Sequence, residues 1–164
     1  MKTISNSQLT IRVSPHGAEL CNIVCNGKEY LWQADPSFWK RHSPVLFPIV
    51  GSVWENEYRI DGATYNLTQH GFARDMNFEL IREQPDELRY RLADNEESRR
   101  RYPFPFRLEI GYRIQGKQIE VLWEVKNTGD KELHFQIGAH PAFYFPAFDM
   151  KSNERGYLGF EDRK

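Results

Sequence analysis

Apolar and polar positions alternate with a period of two along most of this chain. Leu9, Ile11 and Val13 interleave with Thr10, Arg12 and Ser14 before the Pro15-His16-Gly17 break. Period two sends successive side chains to opposite faces, so such a run reads as a half-buried strand. Residues 18–25 and 28–32 flank Asn26-Gly27, and residues 57–60 and 63–67 flank Asp61-Gly62. Both dipeptides tolerate the positive φ that a two-residue hairpin turn demands. Met76/Phe78/Leu80 and Leu88/Tyr90/Leu92 alternate around Gln84-Pro85-Asp86. The longest runs are Leu108/Ile110/Tyr112/Ile114, then Ile119/Val121/Trp123/Val125 after Gln115-Gly116, then Leu133/Phe135/Ile137. These patterns predict nine or ten antiparallel strands packed as a sandwich or barrel. Helical signals are short: a turn over 35–39 with Asp35 as cap and Pro36 first, and a turn over 95–101 ended by Tyr102-Pro103.

Composition narrows the function classes. The chain has 164 residues, 22 Lys+Arg against 23 Asp+Glu and a formal net charge of −1. That balance argues against a nucleic-acid binder, and no apolar run approaches the roughly 20 residues a membrane helix needs. The polar N-terminus lacks a secretory signal, so the expected compartment is the cytoplasm. Four residues of strand separate Cys21 from Cys25, about 13 Å, too far for a disulfide, and two reduced thiols are expected. Aromatic residues make up 14% of the chain, with 11 Phe, 8 Tyr and 4 Trp. Aromatics favour strands and also offer flat faces to sugar rings.

Three segments break the strand pattern while keeping reactive side chains: 39–51, 68–75 and 138–146. Each sets His or Arg beside Gly or Pro, and loops on a rigid β scaffold commonly carry binding groups. Taken singly, His70 and His140 read as turn or packing histidines, and Arg41 and Arg74 as surface ion-pair residues. His134 alternates out of the Leu133/Phe135 face and reads as surface. Taken together, two imidazoles, two guanidinium groups and the rings of Phe72, Phe143 and Tyr144 suit a polyhydroxylated or anionic ligand. No His spacing pairs two metal ligands, no Gly-x-Ser-x-Gly elbow is present, and no glycine-rich phosphate loop appears. No metal and no organic cofactor are expected.

Ser43-Pro44-Val45-Leu46-Phe47-Pro48-Ile49-Val50-Gly51, Gln69-His70-Gly71-Phe72-Ala73-Arg74-Asp75 and Gly138-Ala139-His140-Pro141-Ala142-Phe143 together resemble the aldose 1-epimerase (galactose mutarotase-like) family, in its LacX-type branch. The resemblance covers residues 1–150 and implies an antiparallel β super-sandwich. It implies an isomerase that interconverts the α- and β-anomers of an aldose, with His70 and His140 as the catalytic pair. Arg41, Arg74, Phe72 and Phe143 would then bind a sugar or sugar phosphate. The family's catalytic base is a glutamate in the distal half of its domain, and neither Glu154 nor Glu161 matches its apolar strand context. Residues 1–164 are therefore expected to form a single domain that is the N-terminal portion of a longer one. Little turnover is expected from it alone, and its unpaired strand edges should promote self-association. A sugar-binding or regulatory module without catalysis, and a hexose-6-phosphate mutarotase, are the alternative readings.

Overall fold

The computed structural model describes residues 1–145 and 149–153. Two four-stranded antiparallel sheets dominate. The first joins, in spatial order, β1 (Lys2–Ser5), β2 (Leu9–Val13), β3 (Leu20–Cys25) and β4 (Lys28–Glu29). A short β5 (Val45–Leu46) and the hairpin of β6 (Glu57–Ile60) and β7 (Ala63–Asn66) follow. The second large sheet takes β8 (Glu79–Glu83), β9 (Glu87–Ala93), β10 (Phe106–Gln115) and β11 (Gln118–Asn127), with the one-turn helix α1 (Glu96–Arg101) between β9 and β10. Last comes β12 (Gly138–Ala139), paired with β5.

The alternating runs explain the layering. Leu9, Ile11 and Val13 of the first sheet and Leu88, Tyr90, Leu92, Leu108, Ile110 and Tyr112 of the second are all buried in one continuous core. The Tyr112 hydroxyl crosses between the sheets to donate to the Ala18 carbonyl at 2.7 Å. On the opposite face of the second sheet the polar partners of these residues pair with one another. Glu87 accepts from Arg89 and Arg113, and Arg91 and Arg107 flank Glu109. The two expected hairpin turns form, with Asn26, Gly27, Asp61 and Gly62 all at positive φ. Asn95 caps α1 by accepting from the Ser98 N–H, and Ser98 Oγ accepts from the Asn95 N–H in return.

Two expectations need correction. The run 133–137 is not a strand of either sheet. Its Gln136 N–H donates to Pro48 O, and Pro48 has no N–H to return, so a two-way ladder cannot form there. By contrast, residues 35–39 make the expected capped single turn, with the Ser37 N–H donating to Asp35 Oδ1 and the Phe38 and Trp39 N–H groups to Asp35 O. Residues 76–78 leave the alternation to bond with the Pro15–Gly17 loop, so β8 begins only at Glu79. The two thiols are free, as expected, with Cys21 buried and Cys25 half-buried. Among the described residues no helix is long and apolar enough to cross a membrane.

Candidate active site

The segment 44–48 holds the site together, because both histidine loops dock on it. On one side β12 pairs with β5, Gly138 opposite Leu46 and Ala139 opposite Val45, and His140 N–H then donates to Pro44 O. On the other side the Phe47 carbonyl accepts from the N–H groups of both Phe72 and Ala73. That approach requires glycine at 71. Its φ is +68°, and a Cβ there would lie 2.3 Å from Phe47 O. The His-Gly dipeptide therefore has a backbone reason as well as a chemical one.

The two imidazoles meet. Their ring centroids are 6.4 Å apart with the planes inclined at 52°. His70 is half-buried and His140 exposed. The Gly51 N–H donates to His70 Nδ1 at 3.0 Å, while His70 N–H returns a bond to Gly51 O. A backbone N–H can only donate, so Nδ1 carries the lone pair and the neutral ring keeps its proton on Nε2. Burial, then the charges of Arg74 and His140, lower the His70 pKa below its ordinary 6.5. His70 is thus fixed as a neutral Nε2–H donor around neutral pH.

Arg41 and Arg74 converge on one carboxylate. Arg41 Nη2 donates to Asp75 Oδ1 at 2.8 Å, and Arg74 Nε lies 3.8 Å from Asp75 Oδ2. Arg74 also donates through Nη2 to Gln69 O, but its buried Nε has no hydrogen-bond partner among the described residues. Burial and the neighbouring Arg41 push the Arg74 pKa down, against the pull of Asp75. Two guanidinium groups sharing one carboxylate leave a net positive charge beside His70, suited to hydroxyl or anionic oxygens.

The aromatic residues divide. Phe72 is 1% exposed, with its ring against Phe47, Tyr102 and Phe106 and the Arg101 guanidinium 4.9 Å from its centroid. Placed after Gly71 with its N–H on Phe47 O, it turns into the core and gives no wall to a ligand in this conformation. Phe143 is 64% exposed and, with Trp32, Phe38, Trp39 and Ala142, lines an open apolar hollow of about 460 Å³. Trp39 links that hollow to the histidines, its ring 5.2 Å from His140. Trp39 and Asp75 are the site residues that sequence reasoning passed over. Asp75 had a signal in its adjacency to Arg74, whereas Trp39 looked like one aromatic among many.

His134 is exposed, as expected. Outside the site, Glu19, Cys21 and His42 gather their donor atoms within 4.8 Å of one another. Glu19 Oε1 is occupied by the N–H groups of His42 and Ser43, and the Cys21 thiol is pushed up to about 11 by burial and by Glu19. This cluster fastens β3 to the loop that leads into the site. Glu154 and Glu161 lie outside the described residues.

Comparison with known proteins places this geometry. The chain is 33% identical over 171 positions to the plasmid and chromosomal forms of protein LacX from Lactococcus lactis subsp. lactis, covering 97% of this chain and 56% of theirs. A galactose mutarotase related enzyme from Lactobacillus acidophilus superposes with a TM-score of 0.89 at 40% identity, covering 93% of this chain and 51% of that one. A galactose mutarotase-like protein from Lactobacillus casei gives 0.85 at 35% identity, with coverages of 87% and 49%. The chain thus spans about half the length of the relatives it matches, and its two sheets form part of a galactose mutarotase-like fold. With residues 1–156 matching the Aldose 1-epimerase family, the chain belongs to the aldose 1-epimerase family.

Proposed function

We propose that the His70/His140 site binds an aldose and carries the acid side of anomer interconversion by ring opening. The observation that carries this reading is the 6.4 Å approach of two imidazoles contributed by loops 70 positions apart. In the forward direction an acid protonates the ring oxygen while a base takes the proton of the C1 hydroxyl. The C1–O bond of the ring breaks and leaves an open-chain aldehyde. Rotation about C1–C2 and reclosure, with both protons returned, deliver the other anomer.

An imidazole can give a proton in one direction and take it back in the other, and we assign His140 as the acid. His70, held neutral with its proton on Nε2, donates a hydrogen bond to the same ring oxygen. Arg41 and Arg74 orient the sugar hydroxyls, and Phe143 and Trp39 offer apolar faces to the ring. The one carboxylate tied to this cluster among the described residues is Asp75, and Arg41 already holds it. The base is therefore assigned to the distal part of the family's domain, and the substrate to free sugar in the cytoplasm. No cofactor enters this scheme.

The unpartnered Arg74 Nε and the shared charge at Asp75 favour a 6-phosphate as a second reading of the substrate. Calorimetric titration of the 164-residue chain with glucose, galactose and their 6-phosphates should show saturable binding. Tighter binding of the phosphates would select the second reading, and no binding would overturn both. Polarimetry from fresh α-anomers then reads turnover in a chain that also carries the distal part of the domain. There His140→Ala should lower kcat by about 10²–10⁴-fold. Saturable binding without accelerated relaxation would instead leave a sugar-binding module.

A further inference from the structure

Strand β3 enters the first sheet with an irregularity. Val13 of β2 lies opposite Leu20, and Arg12 lies opposite Asn22, so Cys21 is the extra residue of a bulge and has no β2 partner of its own. A bulge bends its strand and re-aims a side chain. Cys21 is left 3% exposed, its thiol donating to Glu19 O at 3.3 Å.

Glu19 stands just before β3 and reaches across to the loop that carries Arg41. Its Oε1 accepts from the N–H groups of His42 and Ser43 at 2.8 and 2.9 Å. Those two bonds orient the carboxylate and leave Oε2 to act as a ligand. The His42 backbone is held from its other side as well, its carbonyl accepting from Ala142 N–H at 3.0 Å. No hydrogen bond among the described residues engages Glu19 Oε2 or either ring nitrogen of His42.

A thiol sulfur, an imidazole nitrogen and a carboxylate oxygen thus stand within 4.8 Å of one another, on two segments whose backbones are tied together. Donor atoms around a tetrahedral zinc lie about 3.5 Å apart, so side-chain rotations of about 1 Å close the set around one ion. The chemistry of the donors selects that ion. A thiolate beside an imidazole suits zinc and its neighbours, whereas magnesium and calcium take oxygen ligands. Spacing along the chain concealed the cluster, because the third donor lies on a different segment from the first two. We propose that Glu19, Cys21 and His42 form a binding site for a zinc-type divalent cation, with water as the fourth ligand. Coordination displaces the Cys21 thiol proton to solvent, and the metal joins the first sheet to the loop between Arg41 and segment 44–48. The inference goes beyond the sugar-binding reading and stands without it, and the ion has no part in the ring-opening scheme.

Cobalt(II) and then zinc, titrated into the metal-stripped 164-residue chain prepared without a polyhistidine tag, test the proposal. One equivalent of cobalt should give the visible bands of a tetrahedral ion and a thiolate-to-cobalt charge-transfer band, and zinc should displace it. Zinc should also raise the thermal unfolding midpoint, and magnesium and calcium should not. Cys21→Ser should abolish the charge-transfer band, and Cys25→Ser should leave it. His42→Gln and Glu19→Gln should each weaken zinc binding about tenfold or more. The amide oxygen introduced by Glu19→Gln can still accept from the His42 and Ser43 N–H groups, so without metal this variant should melt close to the wild type. X-ray absorption at the zinc edge of the wild-type complex should show one sulfur among four ligands, a reading that needs no variant. Absence of saturable binding at one equivalent overturns the proposal. So does a zinc shell without sulfur, a charge-transfer band that survives Cys21→Ser, or a zinc affinity indifferent to both His42→Gln and Glu19→Gln.

Discussion

Gly71, His70 and Phe72 show how closely backbone and side-chain demands share one short loop. Gly71 is needed because the Phe47 carbonyl lies where a Cβ would go. That close approach turns Phe72 into the core and leaves His70 at positive φ with Nδ1 on the Gly51 N–H. The His-Gly-Phe-Ala-Arg run was legible as a functional segment because its residue types are chemically unusual. The direction of the Phe72 ring was not legible, since it depends on a contact with a residue 25 positions away. The distinction can be measured. Phe72→Ala should cost about 3–5 kcal/mol in urea unfolding by emptying a core position, whereas Phe143→Ala should leave stability within about 0.5 kcal/mol and weaken sugar binding. Equal, small stability losses for both would return Phe72 to the surface role that its sequence context suggested.

At the scale of the elements, the period-two runs over β2, β9, β10 and β11 were read directly, because apolar side chains recur at every second position along each. The first strand, β1, escaped notice. Of its four residues only Ile4 is buried, so it carries no pattern and forms by pairing with β2. The run 133–137 had the pattern without a partner able to complete a ladder. The arginine–glutamate face of the second sheet yields its own prediction. Burial alone would raise the Glu87 carboxyl, but hydrogen bonds from Arg89 and Arg113 and the charges of Arg113 and Arg82 outweigh it and hold the pKa below 4.5. A depressed carboxylate contributes stability above its unfolded value and loses it as the pH falls through the folded one. Thermal unfolding of the wild type should therefore weaken progressively from about pH 5 toward pH 3. Glu87→Gln should be less stable by about 1–2 kcal/mol at pH 7 and show a flatter acid limb. An acid limb as steep in the variant as in the wild type would assign that loss to other carboxylates.

At the scale of the whole molecule, the site exists only because segment 44–48 sits between two loops far apart in sequence. Its residue types were visible in the chain, while their meeting depended on the docking of β12 on β5 and of Gly71 on Phe47. Trp39, whose ring lies against His140, joined the site through that same packing. Asp75 joined it by drawing both arginines together. The matched relatives are about twice as long as this chain, which is why the proposed scheme seeks its base in the distal part of the family's domain. The central claim is that His70 and His140 face one sugar. Imidazole C–H resonances, assigned by single His→Gln substitutions, can be followed by NMR while glucose, galactose or a 6-phosphate is titrated into the 164-residue chain. The account predicts that the His70 and His140 signals shift together along one saturation curve, while those of His16, His42 and His134 stay in place. Shifts at only one of the two rings, or two curves with different midpoints, would contradict it.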